Sequence, residues 1–204
     1  MSLIGFVLYS FLHNWEMLPR YKVFLSHSGH QEDFVTQLCV DLERFNYFPF
    51  FERRPDIFQI GESYASLIQQ VARQCSVVVI VLSKDYVVSK RTMVELSTFV
   101  QFQKTENPDL KLLPLLYHFS PSDLNEEHLF KEHWEELVEG DKTINVELWI
   151  QSIRVLRATL SLVFNGDSDV EFRANVVCAI NHIIQDSHHA SKVRVLINPL
   201  FILQ

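Results

Sequence analysis

Apolar positions along this chain follow two periods, and the switches between them mark out the elements. "YKVFLS" (21–26) is a short apolar run that stops in the polar turn "HSGHQED", which predicts a strand and its exit. "DFVTQLCVDLERF" (33–45) then carries Phe34, Val35, Leu38, Leu42 and Phe45 at helical spacing. "YFPFF" (47–51) reads as a strand, and Pro49 assigns it to an edge or a bulge. A loop, "ERRPDIFQIGES", leads through Gly61, Glu62 and Ser63 into the helix "SYASLIQQVARQ". "SVVVIVLS" (76–83) is a continuous β-branched run, the mark of a central strand buried on both faces. In "SKRTMVELSTFVQF" (89–102), Met93, Leu96, Phe99, Val100 and Phe102 predict an amphipathic helix with Ser89 as its N-cap. "LKLLPLLYHF" (110–119) is a further strand containing Pro114. Residues 126–138, 145–164 and 169–186 read as three helices, the last two separated by the turn "NGDSD".

Strand–helix alternation at these lengths predicts a parallel sheet with helices on both faces. The fold class expected is α/β, a flavodoxin-like doubly wound sheet with additional C-terminal helices. The turns after residues 26, 51, 83 and 117 then share one rim, where ligands of such sheets bind. The main domain is expected over 20–164, with an apolar extension at 1–19, an additional helix at 165–186 and a tail at 187–204. Residues 3–12 are an uncharged apolar run of ten, half of what a bilayer span needs. Packing on the domain, contact with a membrane or partner, and a short signal anchor all stay open for it.

The composition narrows the function. The chain has 204 residues, 48% hydrophobic and 21% charged, as a core-forming globular protein does. A formal charge of −7 argues against a dedicated nucleic-acid surface. Cys39, Cys75 and Cys178 are odd in number and each sits in an apolar pattern, so buried free thiols and a reducing, cytoplasmic compartment are expected. No spacing suggests a metal site. The five glycines, at 5, 29, 61, 140 and 166, build neither G-x-x-x-x-G-K-[ST] nor G-x-G-x-x-G, which removes nucleotide switches and ordinary dinucleotide dehydrogenases. A phosphoacceptor reading fails as well, because Ser-His-Ser-Gly and Ser83 stand where acids would be needed.

One carboxylate stands out. Glu95 lies inside the apolar run of its helix, one turn after Arg91, and Ser89 as N-cap places it near the rim. It is either a surface acid held by Arg91 or an acid in the ligand crevice. Ser26, His27, Ser28 and Gly29 offer hydroxyls, amides and close backbone approach on the same rim, or form a plain strand-to-helix turn.

Together these segments resemble the Toll/interleukin-1 receptor (TIR) domain. "YKVFLSHSG" is similar to that family's first strand and loop, "IGES" to the close of its BB loop, and "VVVIVLSKDYVVSKRTMVEL" to its third strand and Ser-x-Trp-Cys-x-x-Glu-Leu segment. "LLPLLYHFSPSDL" resembles the plant form, and "SHSGHQEDFVTQLCVDLE" the plant TIR domains fused to a nucleotide-binding switch and tetratricopeptide repeats. No such switch is present, so a stand-alone or truncated version is expected. The resemblance implies cleavage of the nicotinamide–ribose bond of NAD+, a substrate and not a cofactor, in plant immune signalling. It implies Glu95 as the catalytic acid, with Ser26, His27, Ser28 and Gly29 at the nicotinamide and ribose. Gly61 and Glu62 would govern access and assembly, while Ser89 and Arg91 belong to the same substrate-binding segment. Arg91 stands where the family usually has Trp, and Thr92 where it has Cys. The implied partners are NAD+, further copies of this chain and other TIR proteins. A weakly catalytic module acting by TIR–TIR docking is the alternative.

Overall fold

The computed structural model describes residues 21–50 and 63–197. The apolar extension at 1–19, Gly61, Glu62 and residues 198–204 lie outside them.

In chain order the elements are β1 (Val23–His27), α1 (Glu32–Arg44), α2 (Tyr64–Gln74), β2 (Val77–Leu82), α3 (Lys84–Val88), α4 (Lys90–Thr105), β3 (Lys111–Leu116), α5 (Glu127–Gly140), α6 (Val146–Arg157), β4 (Leu162–Val163) and α7 (Asp169–Ile197). A 3₁₀ turn, Gly29–Gln31, joins β1 to α1. Among the described residues the strands form one parallel sheet in the order β1-β2-β3-β4. Phe50 adds an isolated parallel bridge to Phe24. Leu25 N–H donates to Phe50 C=O at 3.0 Å and Phe50 N–H to Val23 C=O at 2.7 Å. These groups point away from β2, so the Phe50 segment is the far edge of the sheet. The chain leaves β1 for that edge and returns on the other side as β2, the strand order of flavodoxin-like folds, with its switch point between β1 and β2.

Pleating sorts the strand residues into two cores. Phe24, Val78, Ile80, Leu82, Leu112 and Leu116 pack against α2 to α6, whereas Val23, Leu25, Val77, Val79, Val81, Leu113 and Leu115 pack against α1 and α7. Every residue of β2 is buried, as the unbroken run in the sequence requires. Each such side chain contributes about 1.5–3 kcal/mol by leaving water.

Three expectations need correction. The helix expected over 145–164 ends at Arg157, because Leu162 and Val163 pair with Leu115 and Leu116 instead. Sheet pairing wins there over helical periodicity. The helix expected to stop at 186 continues to Ile197. Cys39 and Cys75 are buried, but Cys178 of α7 is exposed. Among the described residues no helix is long and apolar enough to cross a membrane.

Candidate active site

The site grows out of the core beneath it. Phe24 of β1 packs on Phe99 of α4, ring centroids 4.7 Å apart. Two residues along the strand, Ser26 occupies the same face, and one helical turn back from Phe99 stands Glu95. The periods of strand and helix therefore bring Ser26 and Glu95 together one layer above an aromatic contact. Ser26 Oγ donates to Glu95 Oε2 at 2.6 Å. One more turn back, Arg91 Nε donates to Glu95 Oε1 at 3.2 Å.

Two tyrosines complete this layer. The Tyr86 hydroxyl of α3 lies 2.9 Å from Ser26 Oγ. Because the Ser26 proton is committed to Glu95, Tyr86 is the donor in that contact. Tyr64, the first residue of α2, donates its hydroxyl to Glu95 Oε1. Its own oxygen accepts from Arg91 Nη2 at 2.8 Å, and the Arg91 guanidinium carbon stands 4.5 Å from the centroid of the Tyr64 ring. Burial first, then the Glu95 charge, pushes both phenols well above the usual tyrosine range, so both stay protonated donors. Glu95 accepts from Ser26, Tyr64 and Arg91, as an ionised carboxylate does. At 3% exposure it is no surface acid.

A second polar cluster braces the turn after β1. Ser28 Oγ donates to Gln31 Oε1, as does Ser83 Oγ at 3.1 Å, and the two serine oxygens are 3.3 Å apart. All three residues are buried. Ser83 also caps α3 by accepting from Tyr86 N–H at 3.1 Å. The carboxyl ends of β1 and β2 are thus pinned together at the switch point.

A TIR domain family model matches residues 23–146. The chain belongs to the TIR domain family. No curated protein matches the sequence. Among solved structures, the TIR domains of the activated Roq1 resistosome, which directly recognises the pathogen effector XopQ, align with a TM-score of 0.66 at 21% identity. That alignment covers 78% of this chain and 99% of the Roq1 one, and the plant-type resemblance of the sequence fits its fold. The RPS4 and RRS1 TIR domain heterodimer gives 0.49 at 14% identity over 79% of this chain and 96% of that one. The TIR domain of the Toll-related receptor TRR-2 from Hydra magnipapillata gives 0.40 at 20% identity over 59% and 97%.

In this TIR domain the residues singled out from sequence do not all come together. Ser26, Arg91 and Glu95 meet directly. Ser28 belongs to the adjoining brace, while His27 turns its Nδ1 to the Ser28 carbonyl at 2.7 Å and Gly29 is exposed. A Cβ at Gly29 would meet nothing within 4 Å. The Ser89 hydroxyl accepts from Thr92 N–H at 3.5 Å as the N-cap of α4. Gly61 and Glu62 lie outside the described residues. Sequence reasoning missed Tyr64, Tyr86 and Gln31. For Tyr64, the position directly after the N-cap Ser63 was the available signal, since side chains there sit at the rim. Among the described residues no group of three or more His, Cys, Asp or Glu could hold a metal ion.

Proposed function

We propose that this TIR domain cleaves the nicotinamide–ribose bond of NAD+, with Glu95 as the catalytic carboxylate. The observation that carries the reading is the buried Glu95 carboxylate held against Ser26 at the carboxyl end of β1, beside the switch point of the sheet. When the C1′–N bond breaks, its electron pair leaves with nicotinamide, which departs neutral. Positive charge spreads over C1′ and the ring oxygen, and a carboxylate in a water-poor site stabilises it. Water then adds to C1′ and releases a proton, giving ADP-ribose, or a group within the same dinucleotide adds and gives a cyclic product. Ser26, backed by Tyr86, holds the carboxylate from behind, so its position is set before substrate arrives.

The resemblance to plant TIR domains supports a role in immune signalling, in the cytoplasm. The Roq1 TIR domains belong to an activated resistosome, which supports self-association as the condition for activity. The test is NAD+ consumption with product identification across protein concentration. Nicotinamide release should rise more steeply than concentration and vanish in Glu95→Ala; turnover that survives this substitution overturns the assignment of Glu95.

One observation favours a second reading. Both Glu95 oxygens are engaged by side chains of the domain itself, Oε1 by Tyr64 and Arg91 and Oε2 by Ser26. In that reading the domain signals by TIR–TIR docking without consuming NAD+. Concentrated protein would then oligomerise without nicotinamide release, and Arg91→Trp would restore turnover.

A further inference from the structure

We propose that the cleft between α1 and α7 is a binding site for an apolar monocarboxylate, held at its charged end by Arg173 and Arg44. The cleft lies on the α1 and α7 side of the sheet, whereas α4 with Glu95 packs on the other. The site is therefore independent of the reading given to Glu95.

The cleft has a volume of about 460 Å3, within the range of small-molecule sites. Helical spacing builds one wall, because Val170 and Val177, two turns apart, share a stripe of α7. Phe45, the C-cap of α1, adds an aromatic ring to the lining. Phe45 and Val170 are both largely exposed, so these apolar surfaces are open to a ligand.

Three charged groups line the same cleft. Asp41 Oδ1 accepts from Arg44 Nη1 at 3.1 Å, and Asp41 Oδ2 accepts from Arg173 Nε at 2.8 Å. One carboxylate is thus shared between two guanidiniums, which leaves the lining with a balance of one positive charge. The carbonyl end of α1 subtracts about half a charge, and the balance stays positive. The Arg173 side chain is only 13% exposed. Among the described residues its Nε alone is engaged, and no acceptor meets its Nη nitrogens. A guanidinium so far withdrawn from water, with its paired N–H edge unmet, is matched by an acceptor with two oxygens.

Charge selects among such acceptors. A carboxylate brings one negative charge and neutralises the lining. A phosphate monoester brings about 1.5–2 and leaves an excess against apolar walls. With Phe45, Val170 and Val177 around it, the body of the ligand is hydrocarbon.

Cys178 lines the cleft and is exposed, so it reports occupancy. The experiment follows iodoacetamide labelling of Cys178 at pH 8 by peptide mass spectrometry while decanoate is titrated below its micelle concentration. The buried Cys39 and Cys75 serve as references that the fold is intact. Decanoate is expected to slow Cys178 labelling several-fold at saturation. Decanol, the same chain without the charge, should need about tenfold more for equal protection, the scale of a hydrogen bond to a charged group. Decyltrimethylammonium should give none. Arg173→Gln should raise the half-protecting decanoate concentration by about tenfold and erase the advantage over decanol. Arg44→Gln, at a side chain 73% exposed, should act in the same direction to a smaller extent, and it keeps the test decisive if Arg173→Gln does not fold. Absence of protection by decanoate, equal protection by decanol, or stronger protection by decyl phosphate overturns the proposal. Labelling that slows as protein concentration alone is raised assigns the cleft to a second copy of this chain and overturns it as well.

Discussion

Ser26 and Glu95, 69 residues apart in sequence, share a 2.6 Å hydrogen bond in the interior, and neither is more than 3% exposed. Removing the hydroxyl leaves Glu95 Oε2 without this donor and leaves the Tyr86 hydroxyl with only the longer bond to the Thr92 carbonyl, at 3.4 Å, of the two it makes here. Buried polar groups stripped of a partner cost about 1–3 kcal/mol each way, more beside a charge. Ser26→Ala should therefore lower the unfolding free energy by about 1–3 kcal/mol in urea titration. It should reduce NAD+ cleavage further than stability alone explains, because the carboxylate loses its inner anchor. A loss under about 0.5 kcal/mol, the range of ordinary surface substitutions, would show that this contact does not hold Glu95.

The three cysteines offer a check on packing. Cys75 is buried between α2 and β2, its thiol donating to the Val77 carbonyl at 2.9 Å, and burial pushes its pKa up to about 12. A thiol at that value is almost wholly protonated at pH 8 and inert to alkylation. Cys39 is buried against the second core, whereas Cys178 is exposed. Iodoacetamide at pH 8 should therefore modify Cys178 alone in the folded protein and all three cysteines in urea, as read by peptide mass spectrometry. Rapid labelling of Cys75 in the folded state would contradict the packing of β2 against α2.

Much of this arrangement was legible in the sequence, for reasons particular to each element. β2 announces itself because six consecutive residues are buried on both faces, leaving no polar position to break the run. The Ser89 cap and the helix behind it follow from a hydroxyl standing before an apolar period. β4 was invisible because two residues, Leu162 and Val163, carry no period, and their partners are in β3, far away in the chain. Arg91 and Glu95 were legible as a pair because helical spacing links them, but Tyr64 reaches the same oxygen across 31 residues and a loop. Contacts set by tertiary packing leave no local trace, and for that reason the cover over Glu95 was half seen.

The α4–α5 corner carries an acid-sensitive contact. Asp141, the residue after α5, accepts from Lys90 at the start of α4 and from the Thr143 backbone and hydroxyl at 2.9 and 2.7 Å. The Lys90 ammonium first, then Thr143, holds the Asp141 carboxyl well below the usual carboxylate range. A folded pKa depressed below the unfolded value of about 3.9 adds stability that is fully present above about pH 5 and is lost as pH falls further. Asp141→Asn should therefore be less stable than the unmodified protein at pH 7. The two should converge as pH drops below 4, in urea titrations repeated across that range. Raised salt should shrink the difference at pH 7, since the pair is solvent-accessible.

Trp134 couples the late helices to the site. It is fully buried in α5, stands edge-on to Trp149 of α6 with centroids 5.6 Å apart, and donates Nε1–H to the Val87 carbonyl at 2.7 Å. Val87 follows Tyr86, whose hydroxyl reaches Ser26, so Trp134 fixes the short helix that backs the Ser26–Glu95 contact. Trp134→Phe keeps an aromatic in the core but leaves the Val87 carbonyl unpaired and a gap beside Trp149. A cost of about 1–3 kcal/mol follows from the unpaired carbonyl alone, against about 3–5 for Trp134→Ala. Because α3 is only five residues long, it has little stability of its own with which to hold Tyr86. Amide exchange across 84–88 should therefore quicken in Trp134→Phe more than exchange in β2, which the sheet protects independently. Equal acceleration in both would show that Trp134 acts only through global stability and that α3 is held in place by other contacts.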